Sequence, residues 1–262
     1  MKPLVVTNPW DTLRRFTSAR IALGRVGDSL PTDALLAFGL AHAQARDAVH
    51  LPLDQKALQA QLEAAGYPAL AVHSAAGDRA AYLRRPDWGR RLNDPSRERL
   101  VAAAQNVRAA PDVAFVIGDG LSARAVAAHA VPLVQAVTPK LAEWRIAPIV
   151  IAEQARVALG DEVGELLRAT QVVVLIGERP GLSSPDSLGV YLTYGPRIGR
   201  TDAERNCISN VRPEGLGYAA AAHKLAYLLH AARRLGQTGI ALKDESETLP
   251  DLHTEHLAAP KP

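Results

Sequence analysis

From about residue 110 onward, short apolar runs rich in β-branched residues alternate with stretches of helical periodicity. No other feature restricts the fold as much. Val113-Ala114-Phe115-Val116-Ile117 is one such run, and it stops at Gly118-Asp119-Gly120. Residues 146–151 form a second, and Val172-Val173-Val174-Leu175-Ile176, bounded by Gly177, a third. None of them alternates apolar with polar residues, so burial on both faces is expected, as in a parallel sheet. Helices are predicted over 122–135 and 162–169, and an Ala- and Leu-rich closing helix over 217–235. The fold class expected is α/β: an N-terminal helical segment, then a Rossmann-like open, mainly parallel sheet domain.

The first ~95 residues have a different rhythm. Residues 9–66 read as helical, with apolar groups at helical spacing over 32–41 and an amphipathic helix over 54–65 ended by Gly66-Tyr67-Pro68. Residues 69–73 suit a short strand, and Asp94-Pro95-Ser96 opens a helix over 96–107. The domains expected are therefore 1–108, mostly helical and serving assembly; 109–243, the sheet domain; and 244–262, a polar, Pro-containing tail expected to be disordered.

Composition excludes several roles. At 262 residues and 48% hydrophobic, the chain can bury a real core. No stretch approaches the roughly 20 apolar residues of a membrane span, and no secretory signal is expected at the N-terminus. A single cysteine, Cys207, forbids an internal disulfide and fits a cytosolic compartment. Net charge is +3, the bases being 24 arginines and 6 lysines. Residues 84–99 hold the densest cluster, six arginines against three acids. That cluster reads first as a solvated helical face and second as a protein or phosphate surface. With 5% aromatic residues, nucleic-acid stacking platforms are not expected.

In an open α/β sheet, ligands bind beyond the carboxyl ends of the strands, so three loops are candidates. Gly118-Asp119-Gly120-Leu121-Ser122 lacks the third glycine of a dinucleotide fingerprint and reads as a tight turn. Residues 177–188, with Glu178 and Arg179 at their mouth, form a stiff loop with two prolines and two glycines. Arg205-Asn206-Cys207-Ile208-Ser209-Asn210 holds the lone cysteine, and no spacing places His223 or His230 beside it. Neither a catalytic constellation nor a metal site is expected: Gly-x-Ser-x-Gly, His-Glu-x-x-His, Walker and Cys-x-x-Cys patterns are missing, and the eight histidines are scattered. Asp-x-His-x-x-Gly, which supplies a histidine to cobalamin in some proteins, is missing too.

The chain resembles the light subunit of ethanolamine ammonia-lyase over residues 9–243. The resemblance rests on residues 16–25 (Phe-Thr-Ser-Ala-Arg-Ile-Ala-Leu-Gly-Arg), residues 41–50 (Ala-His-Ala-Gln-Ala-Arg-Asp-Ala-Val-His), Gly177-Glu178-Arg179-Pro180, Pro185-Asp186-Ser187-Leu188 and Cys207-Ile208-Ser209-Asn210. It implies adenosylcobalamin (coenzyme B12) as cofactor and a large catalytic subunit as partner, with no nucleic-acid or membrane partner. The implied reaction takes ethanolamine to acetaldehyde and ammonia, in the cytoplasm or inside a bacterial microcompartment, and the small chain alone is expected to be inactive. The family's cobalamin contacts fall on Val157, Glu178 and Cys207. Two other readings of the residues stay open: a cofactor-free scaffold, and a stand-alone nucleotide-using α/β enzyme.

Overall fold

A computed structural model describes residues 4–105 and 109–246. Its centre is one six-stranded sheet. The strands are β1 (Ala69–His73), β2 (Val113–Gly118), β3 (Ile149–Glu153), β4 (Gln171–Gly177), β5 (Leu188–Tyr194) and β6 (Asn206–Val211), in the spatial order β1-β3-β2-β4-β5-β6. Strands β1 to β4 pair in parallel; β4–β5 and β5–β6 pair antiparallel. The open, mainly parallel α/β sheet is as expected.

Every residue of β2 and β4 is buried, because helices cover both faces. One face packs α2 (Gln55–Ala64), α5 (Ala123–Val137) and α7 (Tyr218–Leu235) around Phe115, Ile117, Leu175 and Val190. The other packs α4 (Asp94–Gln105) and α6 (Leu159–Leu166) around Val116, Val150, Val174 and Ile176, and the short α3 (Arg79–Arg84) precedes them in the chain. Helix starts follow the sequence: the Asp54 side chain accepts from Ala57 N at 2.9 Å, and Ser122 accepts from Ala125 N at 3.2 Å. Gly236, at φ 72°, closes α7 in the left-handed conformation.

Several boundaries differ from expectation. The third strand begins at Ile149, not Ile146, because Pro148 has no N–H to give to a ladder; Ile146 makes only an isolated bridge to Val113. The helix expected over 162–169 lies at Leu159–Leu166, and Arg168 just beyond it takes φ 56°. Residues 9–66 are not continuously helical. A short 3-10 turn spans Asp11–Phe16, and irregular chain leads to α1 (Thr32–His50). There Val6 bridges to Arg25, and Gly24 and Gly27 take φ of 76° and 58°. β1 lies ahead of residue 108 yet pairs along its length with β3, so the sheet extends across that position. The helix expected over 96–107 is described as far as Gln105. Residues 106–108, and all of the tail beyond residue 246, lie outside the described residues. Asp244, at the tail's start, pairs with Lys224 of α7 at 2.8 Å.

Candidate functional site

After β2 the chain turns into α5 on one face, and after β3 into α6 on the other. Such a divergence opens the ligand crevice of many open α/β sheets. Here it is filled. Asp119 accepts from Gln154 N at 3.0 Å and Ala155 N at 2.9 Å, and Arg79 meets its carboxylate at 3.3 Å. Burial pushes the Asp119 carboxyl up, against these donors. Leu121 N donates to Gly177 O at 2.9 Å. Gly120, at φ 57°, lies so close that a Cβ would come within 2.3 Å of Gly177 O. With its amides committed and its floor occupied, the loop is a tight strand–helix turn and offers no phosphate cradle.

A more open arrangement lies on the α6 face, toward β4, β5 and β6. Glu178 leaves the end of β4 half-buried. Its Oε2 accepts from the Ser187 hydroxyl and from Asn210 N at 3.2 Å. The second contact depends on an irregularity between β5 and β6: Leu188 pairs with Val211 but Val190 with Ile208, so β6 carries an extra residue. Asn210 lies in that bulge at φ 60°, which aims its amide at the carboxylate. Gly215 allows the bend, since a Cβ there would meet Asn210 O at 2.4 Å. Glu178 Oε1 lies over Gly189, whose hypothetical Cβ would come within 3.0 Å of it. One carboxylate oxygen is thus fixed twice, while the other has no hydrogen-bond donor among the described residues.

The loop behind Glu178 is anchored as well. Ser122 Oγ donates to Pro185 O at 2.8 Å, Glu178 N donates to Ser187 O at 2.9 Å, and Arg20 reaches Leu182 O at 3.4 Å. Asp186 faces buried His129, with Nε2 to Oδ2 at 3.8 Å, and Tyr218 Oη meets His129 Nδ1 at 2.8 Å. Burial lowers the His129 pKa, and Asp186 only partly offsets this.

Cys207 lies exposed on the edge strand β6, opposite Tyr191, with its sulfur 3.4 Å from Ser209 Oγ. Burial, with the thiol and Glu178 beside it, pushes the Tyr191 hydroxyl well above the usual tyrosine range. Ile208 points to the α7 face and Tyr191 to the α6 face, so strand alternation puts Cys207 on the α6 face. His223 and His230 ride on α7, across the sheet from it. Val157 follows β3, half-buried against the same α6-face cluster as Tyr191. The three positions named from sequence, Val157, Glu178 and Cys207, therefore share one face. Sequence reasoning missed Gly189 and Tyr191, because β5 was not expected, although Val190, Tyr191, Thr193 and Tyr194 are strand-favouring residues. It also missed the role of the Asn210 amide, which only the bulge creates. Among the described residues no cluster of His, Cys, Asp and Glu could hold a metal ion.

Residues 7–243 match the family described as ethanolamine ammonia-lyase light chain (EutC). The chain is 61% identical to the ethanolamine ammonia-lyase small subunit of Ralstonia nicotianae, over 94% of this chain and 92% of that one. It is 54% identical to the small subunit of Pseudomonas fluorescens, over 99% and 98%, and 59% identical to that of Azotobacter vinelandii, over 92% and 90%. Matches of this identity, spanning almost the whole chain, show that it belongs to the ethanolamine ammonia-lyase light chain family.

Proposed function

We propose that this chain is the light subunit of a heteromeric ethanolamine ammonia-lyase, and that Val157, Glu178 and Cys207 contact adenosylcobalamin at the interface with the large catalytic subunit. The complex converts ethanolamine to acetaldehyde and ammonia. It works in the cytoplasm, free or inside a protein-shelled microcompartment, and has no nucleic-acid or membrane partner; no described helix is long and apolar enough to cross a membrane.

One observation carries the cofactor reading: Glu178 is held by Ser187 and Asn210 through Oε2, leaving Oε1 as a positioned acceptor above Gly189. A corrin ring is fringed with amide side chains, and a carboxylate is acceptor-only, so the donor sets fit. Glycine at 189 gives the Glu178 side chain room to lie over the strand, Val157 offers apolar contact, and Cys207 is exposed on the same face. Bound adenosylcobalamin supplies the radical chemistry; this chain orients the cofactor and excludes water. The filled crevice at Asp119 weighs against the stand-alone nucleotide enzyme.

The N-terminal segment serves assembly. Trp10, Phe16, Leu35, Leu36, Phe38 and Leu40 are exposed on it, a surface suited to cover by the large subunit.

The test is Glu178→Gln in the complex reconstituted with the large subunit. Loss of a charged acceptor costs roughly 1.5–3 kcal/mol, so cobalamin Kd should rise by about one to two decades with the melting temperature unchanged. An unaltered Kd would refute the assignment of Glu178.

A further inference from the structure

A cleft of about 820 Å³ opens beside Val157 on the α6 face, lined by Arg90, Arg91, Arg97, Arg156, Arg200 and Arg205. Three of these are committed. Arg205 is buried in a bidentate pair with Asp161, both bonds 2.6 Å; Arg97 pairs with Glu162, and Arg200 with Glu204. The remaining carboxylates of the cleft also have arginine partners. Asp202 meets Arg205 at 3.4 Å. Asp87 meets Arg85 at 2.7 Å, and Arg85 first, then more weakly Arg91, holds its carboxyl below the usual range. Arg90, Arg91 and Arg156 make no ion pair among the described residues, so the cleft carries positive charge that no described carboxylate answers.

Arg156 is the most firmly placed of the three. Its N–H donates to Gly89 O at 2.8 Å, and a Cβ on Gly89 would come within 2.9 Å of its Cγ. Its guanidinium lies 4.2 Å from the centre of the Tyr82 ring, and Tyr82 is fixed in turn by its hydroxyl on Ala155 O at 3.0 Å. Among the described residues the one hydrogen bond of that guanidinium is a long one, 3.5 Å to Tyr82 O, and Nε is buried without a partner there. A cation held by stacking and backbone, with donors to spare, stands one residue before Val157.

We propose that Arg156, with Arg90 and Arg91 at the rim, binds the phosphodiester of the cobalamin nucleotide loop. This rests on the reading of Val157 as a corrin contact. A guanidinium fork matches phosphate oxygens in geometry and charge. The phosphodiester is the one permanent anion among the amide groups of cobalamin, so it is the part of that ligand an unanswered cationic cleft selects.

The experiment measures equilibrium binding of three corrinoids to the reconstituted complex by visible absorbance: cobalamin, cobinamide phosphate and cobinamide, the last two differing by the phosphate. The wild-type complex should prefer cobinamide phosphate to cobinamide. Arg156→Ala should shrink that preference by about ten- to a hundredfold, leave cobinamide affinity unchanged, and be partly rescued by Arg156→Lys. Arg91→Ala, at an exposed position off the Tyr82 stack, should shrink it by a smaller factor. If thermal melts show that Arg156→Ala disturbs the fold, the Arg91→Ala and Arg90→Ala ratios decide. A wild-type ratio near one, or a ratio that survives the variants, overturns the proposal; the cofactor reading still stands if Glu178→Gln weakens all three corrinoids alike. A complex that binds none of the three ends both. Reduced yield of complex from Arg156→Ala with the ratio intact assigns the cleft to an acidic group of the large subunit, and also overturns the proposal.

Discussion

The N-terminal fifty residues and the central sheet are both rich in apolar residues and use them in opposite ways. In α1, nineteen residues long, only Ala41 and Ala48 are buried, and Leu36 is 67% exposed. In β2 and β4 nothing is exposed. Ion pairs divide the same way. Arg14–Asp11 in the N-terminal segment is open to water on both sides, whereas Arg205–Asp161 beside the sheet is buried on both. Apolar content therefore does not say where a core is. A run is buried when neighbours cover both its faces, and the N-terminal segment has too few neighbours among the described residues to do so.

Three measurements would break or sharpen that contrast. Arg205→Ala should have the largest effect, because it leaves Asp161 buried without its partner. Breaking such a pair costs about 3–5 kcal/mol, seen as a fall in the denaturant midpoint of the isolated chain; a loss under ~1 kcal/mol would place that pair with the surface pairs. Cys207→Ala, on the exposed edge strand, should cost cobalamin binding on the order of 1 kcal/mol through lost packing, keeping turnover of the reconstituted complex within about tenfold of wild type. A loss of three decades at full cofactor occupancy would give the thiol a chemical role. Leu36→Ser should change the chain's own stability by no more than about 0.5 kcal/mol, while lowering co-purification with the large subunit. A clear drop in melting temperature with undiminished complex yield would reverse the roles assigned to the two regions.

Local pattern carried the reading a long way. The β-branched runs at 113–117 and 172–176 are β2 and β4 nearly to the residue, and Ala69–His73 is β1 as read. The residue blocks at 16–25, 41–50 and 207–210 carried the resemblance that the full-length comparison then showed as family membership. Of the helices expected within 9–66, those at 32–41 and 54–65 are present, and the reading failed between residues 17 and 31, where Gly24 and Gly27 bend the chain, since helical spacing of apolar residues cannot overrule left-handed turns.

Other features were decided by pairing between residues far apart in sequence. β1 joins the sheet beside β3, across some eighty residues of chain. The β5–β6 bulge turns the Asn210 amide onto Glu178 thirty-two residues away. Asp119 fills the crevice that strand order alone would have left for a ligand. Periodicity and composition are local quantities, so from this sequence they located most of the strands and helices, though not β5, and the apolar runs that form the core. Register, bulges and the partner of each buried charge depend on which segments meet, and only the tertiary structure settles that.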